Sequence, residues 1–141
     1  MALSVLIVDD SLPMRSVIKK TFRAAGYGNA QFFEADHGKT ALKVMDGEWI
    51  DIVITDFNMP EMNGLELIDA MKENELFSGI PVVVVTTEGS REKTQAFLDR
   101  GAAGFIRKPF PAETLRDVLV QVLGESDDEE EIDGAGDDFD F

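Results

Sequence analysis

Residues 3–8, 31–33, 52–54, 82–85 and 104–107 are short apolar runs rich in β-branched and aromatic side chains, without a helical period. They predict five strands. Elsewhere the apolar positions recur three and four residues apart, which predicts helices over 11–25, 38–46, 63–72, 90–100 and about 111–123. Met14, Val17, Ile18, Thr21 and Phe22 mark the inner face of the first helix. Ala41, Leu42 and Met45 mark the second, and Leu65, Leu67, Ile68 and Met71 the third. Asp10 or Ser11 is placed to cap the first helix, and Gly26 and Gly101 end the first and fourth. Pro111 falls in the first turn of the last helix.

Strand and helix alternate five times, the pattern of a doubly wound parallel sheet with helices on both faces. Right-handed crossovers bring all five strand ends to one edge, where open α/β sheets hold ligands. That edge collects Asp9 and Asp10 after the first strand, Asp56 after the third, Thr86 after the fourth and Lys108 after the fifth.

Composition narrows the possibilities. The 141 residues suffice for one domain with a sizeable core. No cysteine is present, so disulfide, thiolate and cysteine–metal chemistry are excluded. No apolar run reaches membrane-spanning length, and the expected setting is the cytoplasm. The net charge is −15, and residues 125–141 hold ten acids and no base. Residues 1–124 then carry 18 acids against 13 bases, a net −5. Neither part has the basic footprint of a nucleic-acid binder.

Three carboxylates at one sheet edge repel unless a cation joins them. Hard oxygen ligands with open positions suit Mg²⁺. Lys108 adds a point charge and Thr86 a hydroxyl, the parts that neutralise and orient a phosphoryl group. Asp56 is the carboxylate best placed as nucleophile, giving an aspartyl phosphate.

Asp9-Asp10, Asp56, Thr86 and Lys108-Pro109, at these spacings on alternating elements, resemble the receiver domain of two-component response regulators, in its single-domain, chemotaxis (CheY-like) form. The resemblance spans residues 3–123 and implies a flavodoxin-like sheet of order 2-1-3-4-5. It implies that Asp10, Asp56 and the main-chain oxygen of Asn58 ligate Mg²⁺, with Asp9 acting through water. It implies a cis Lys108–Pro109 bond, and a switch in which Thr86 closes on the phosphoryl oxygens and Phe105 turns inward. Asn58 and Glu88, two past Asp56 and Thr86, match the pairing in regulators with short-lived phosphorylation and would govern water attack. The output surface would be the fourth helix, fifth strand and fifth helix. Implied partners are a sensor histidine kinase, an output target such as the flagellar motor switch, and a phosphatase, with no nucleic acid, no membrane and a monomeric chain. Phosphorelay and cell-cycle or stalk control stay open as alternatives. Phe105 and Phe57 depart from the tyrosine and tryptophan common in that form.

An aspartate-nucleophile phosphatase of the haloacid-dehalogenase type needs a second aspartate two positions on, where this chain has Asn58. A nucleotide-binding loop is ruled out because residues 8–15 contain no glycine. Trp49 is expected to pack, and His37, the one histidine, to begin the second helix. The expected organisation is a domain over 1–124 and an acidic, disordered tail over 125–141. Ile132, Phe139 and Phe141 are unusual in a purely solvating run. The tail either solubilises the chain or docks, on its own domain or on a partner.

Overall fold

The structure is a computed structural model and describes residues 2–87 and 90–124. Five strands, β1 (Ser4–Val8), β2 (Gln31–Ala35), β3 (Ile52–Thr55), β4 (Val82–Thr86) and β5 (Gly104–Arg107), alternate with five helices, α1 (Leu12–Ala24), α2 (Gly38–Gly47), α3 (Gly64–Lys72), α4 (Arg91–Asp99) and α5 (Ala112–Leu123). The strands form one parallel sheet of order β2-β1-β3-β4-β5. The fold class and strand order are those expected.

Alternation along the strands divides the core into two layers. Leu6, Val8, Val53 and Val84 meet Ala41 and Met45 of α2, Leu67, Ile68 and Met71 of α3, and Phe97 of α4. Val5, Ile7, Ile52, Ile54, Val83, Val85 and Ile106 meet Ile18 and Phe22 of α1 and Leu115 and Leu119 of α5. Both faces are covered, which explains why the central strands read as continuous apolar runs. Each fully buried Leu, Ile or Phe contributes roughly 1.5–3 kcal/mol of transfer free energy.

The helix ends follow local chemistry. Ser11 caps α1 by accepting from Met14 N at 3.2 Å. Asn63 and Glu66 make a reciprocal capping box on α3, with both bonds at 2.9 Å. His37 caps α2 through Nδ1, 3.3 Å from Thr40 N. Gly26 and Gly101, at φ 102° and 95°, follow the ends of α1 and α4 in a conformation that side chains resist.

Several expectations need correction. β2 runs to Ala35, two residues beyond its apolar core, because pairing with β1 continues through Ile7–Glu34 and Val8–Ala35. Pro111 is the N-cap of α5, with extended backbone, and does not lie in its first turn. Val17 is 51% exposed and lines a groove of about 260 Å³ with Met14, Thr21, Pro109 and Phe110, because α1 turns Ile18 and Phe22, its buried residues, to the sheet and leaves Val17 at the margin of that face. Trp49 is 80% exposed and packs little. Its indole N–H instead donates to Asp51 Oδ1 at 2.9 Å. The acidic segment 125–141, and with it the expectation of disorder, lies outside the described residues, as does Glu88.

Candidate functional site

The carboxyl edge of the sheet carries the charged cluster. Parallel pairing of β1 with β3 sets Val8 beside Thr55, and Asp56 N donates to Val8 O at 2.9 Å. The side chains that follow these two strands therefore emerge together. Asp9, Asp10 and Asp56 each place a carboxylate oxygen within 4.8 Å of the others. Asp9 is buried, Asp56 half-buried and Asp10 exposed, a gradient leading from the sheet into water. Three oxygen donors grouped this way, open on the Asp10 side, fit a hard divalent cation that keeps part of its hydration shell.

Lys108 balances this charge. Its Nζ donates to Asp9 Oδ2 at 3.2 Å and lies 3.6 Å from Asp56 Oδ1, with about a tenth of its side chain exposed. Lys108 N donates to Thr86 O at 2.8 Å, which ties the end of β5 to that of β4. The Lys108–Pro109 peptide is cis, as expected. Burial raises the Asp56 carboxyl above the usual aspartate range, and Asp9 adds to the rise. Lys108 and the Phe57 N–H, which donates to Asp56 Oδ1 at 2.8 Å, pull the other way. Burial prevails, so the ammonium group compensates Asp56 only in part.

Thr86 is buried at the end of β4, and Asn58 is exposed in the loop after β3. Phe105 is half-buried, with its ring centroid 5.7 Å from that of Phe97. The structure thus brings Asp9, Asp10, Asp56 and Lys108 into one charged cluster. Phe105 reaches it through an aromatic chain.

That chain escaped the sequence reading. Phe97 of α4 also meets Phe57 edge-on at 5.2 Å, and Lys93 Nζ lies 4.6 Å above the Phe57 ring. Three rings therefore run from the neighbour of Asp56, through α4, to β5. Arg15 was missed as well. Its Nη1 donates to the Asp9 main-chain oxygen at 2.5 Å while its Nε pairs with Glu34 at 2.8 Å. A base one helical turn beyond the Ser11 cap was the available signal. Gly64 is the third omission. A methyl there would stand 2.7 Å from Asp56 O and 3.3 Å from Phe57 Cα, so only glycine lets α3 begin against the Asp56 backbone.

Residues 5–120 match the family model described as response regulator receiver domain. The chain belongs to that family. Among curated relatives of this receiver domain is chemotaxis protein CheY1 of Helicobacter pylori, 39% identical over 126 residues, or 89% of this chain and all of that one. Chemotaxis response regulator CheY4 of Vibrio cholerae superposes with a TM-score of 0.77 at 34% identity, over 86% of this chain and 99% of the other. The receiver domain of a Pseudomonas aeruginosa sensor histidine kinase, solved with a magnesium ion coordinated in its active-site cleft, shares the fold (TM-score 0.77) at 19% identity, over 89% of this chain and all of that one. The receiver described here is therefore of the CheY-like kind, a protein of two-component signalling. Among its described residues no helix is long and apolar enough to cross a membrane.

Proposed function

We propose that this receiver accepts a phosphoryl group on Asp56 from the phosphohistidine of a sensor kinase, in a reaction that needs Mg²⁺. The observation that carries this reading is the carboxylate triad with Lys108 against it. Asp9, Asp10, Asp56 and the main-chain oxygen of Asn58 would hold the ion, Asp9 acting through water. When bound, the ion neutralises the triad and the incoming phosphoryl oxygens. An Asp56 carboxylate oxygen attacks phosphorus, and the P–N bond breaks as the imidazole takes the electron pair. Lys108 balances the phosphoryl charge, and Thr86 closes on a phosphoryl oxygen. Hydrolysis returns the carboxylate and inorganic phosphate as water attacks phosphorus, with Asn58 and Glu88 governing its approach. These are the only reactions we assign to the chain.

The readout is a surface change. Phe105 turns inward as Thr86 moves, and the surface formed by α4, β5 and α5 selects an output target. Chemotaxis or motility, with the flagellar motor switch as target and a phosphatase to end the signal, is the setting that the CheY relatives support. It places the chain in the cytoplasm.

The test is intact mass after incubation with acetyl phosphate. One phosphoryl group should appear with Mg²⁺, vanish with EDTA and be absent from Asp56→Asn. A stable phosphoryl group on Asp56→Asn that maps to no neighbouring residue would falsify the assignment.

A further inference from the structure

Elements α4, β5 and α5 carry four bases against four acids (Glu92, Asp99, Glu113 and Asp117), whereas the other described residues carry nine bases against thirteen acids. Of the six arginines in the chain, Arg15 and Arg100 are ion-paired to Glu34 and Asp69, and Arg23 lies over the Phe32 ring. Arg116 has an interaction of its own. Arg91 and Arg107 form no ion pair with any described residue, and both are exposed. One opens α4 and the other closes β5, elements that pack together at the sheet edge, with α5 against β5. Leu98, 46% exposed, lies two helical turns beyond Arg91 on the same face of α4. Two open guanidinium groups, with an exposed leucine about 10 Å along α4 from Arg91, suit a ligand that spaces carboxylates and apolar side chains along its length.

The chain carries such a ligand. Residues 125–141 combine ten acids with Ile132, Phe139 and Phe141, and they follow directly on α5. A random-coil chain of that length has a root-mean-square span of about 23 Å. The twelve residues of α5 measure about 18 Å, so a segment leaving its far end can return along the same surface. Other surfaces fit less well. The apolar groove at Trp49 and Ile80 is rimmed by Asp46, Glu48, Asp51 and Glu75, which would repel the segment. Helix α1 carries four bases, but three are already engaged by Glu34 and Phe32.

We propose that residues 125–141 seat on the α4–β5–α5 surface, with carboxylates on Arg91 and Arg107 and an aromatic side chain on Leu98. Resting on the reading of this surface as the output face, the inference makes the segment a built-in competitor of the target. Tethering holds it at millimolar effective concentration, which excludes weak targets first.

The absence of cysteine allows a unique nitroxide label on the full chain through Ala135→Cys. Amide signals of residues 91–98 and 105–107 should lose intensity. They should recover in about 1 M salt, where the Debye length falls to ~3 Å, and in the R91Q/R107Q double variant. Loss confined to residues adjoining Gly124, loss centred on Trp49, or loss indifferent to salt and to both substitutions would overturn the proposal. Adding acetyl phosphate and Mg²⁺ to the same samples keeps the two readings apart. If the segment docks but phosphorylation leaves α4 and β5 shifts unchanged, the output-face reading fails and docking stands. If phosphorylation moves those shifts without label-induced losses there, docking fails and the output face stands.

Discussion

Replacing Lys108 by methionine keeps most of the apolar stem and removes the charge that Asp9 and Asp56 share. At 3.2 and 3.6 Å, with an effective dielectric near 20, each attraction amounts to about 5 kcal/mol before desolvation is subtracted. Breaking a buried pair from one side costs about 3–5 kcal/mol net, because the carboxylates stay behind without a partner. Protonation sets an upper limit. A stranded aspartate can take up a proton, which at pH 7 costs about 4 kcal/mol and at pH 5 about 1.4. Lys108→Met should therefore lose about 3 kcal/mol at pH 7 and about 1 kcal/mol at pH 5. The assay is urea unfolding in EDTA, followed by far-ultraviolet circular dichroism. With a slope near 1.5 kcal/mol per molar, the pH 7 midpoint should fall by about 2 M. Added Mg²⁺ should restore part of it, since the same oxygens then have another cation. A pH 7 midpoint within about 0.3 M of wild type, or a loss that does not shrink at pH 5, would show that Lys108 does not hold the triad together.

Asp56→Asn should stabilise the metal-free protein. Since burial raises the Asp56 carboxyl, the folded state binds the proton more tightly than the unfolded one, so stability falls as pH rises above the ordinary aspartate value. The gain, on the order of 3 °C in Tm, should appear at pH 7 and vanish near pH 3. Gly64→Ala should cost about 1–3 kcal/mol in urea unfolding and slow acetyl phosphate labelling about tenfold or more, because the methyl displaces the Asp56 backbone. Glu34→Gln should cost about 1 kcal/mol at pH 7. Lys19 and Arg15 lower the Glu34 carboxyl, so wild-type stability from this group is present above the ordinary glutamate value and lost as pH falls through the lowered one. The variant should unfold alike on both sides of that window.

The strands and the charged edge were legible because both rest on strong local signals. Val82 to Val85 admits little but a buried strand, and acids after two strands of a parallel sheet must converge. Side-chain contacts between distant elements were not legible. That Phe97 links Phe57 to Phe105 depends on how α4 lies on the sheet, which periodicity does not specify. Val17 fits the apolar pattern of α1 yet faces a groove, because a stripe read from spacing is wider than the strip that the sheet covers. Trp49 misled for another reason. Its size argues for burial, but it lies just before β3 at the edge of the sheet remote from the carboxylates.

The position of Trp49 has an optical consequence. It is the one indole in the chain, it is exposed to water, and the whole of β3 separates it from Asp56. Tyr27, the one phenol, is buried near the same remote edge, where it lines a cleft with Trp49. Emission from the native chain should therefore hardly change when a metal or phosphoryl group arrives, and a flat titration would say nothing about binding. A fluorophore must be moved to the chemistry. Phe57→Trp in a Trp49→Phe background would set an indole against Phe97 and beneath the Lys93 ammonium, where charge arriving at Asp56 alters its surroundings directly.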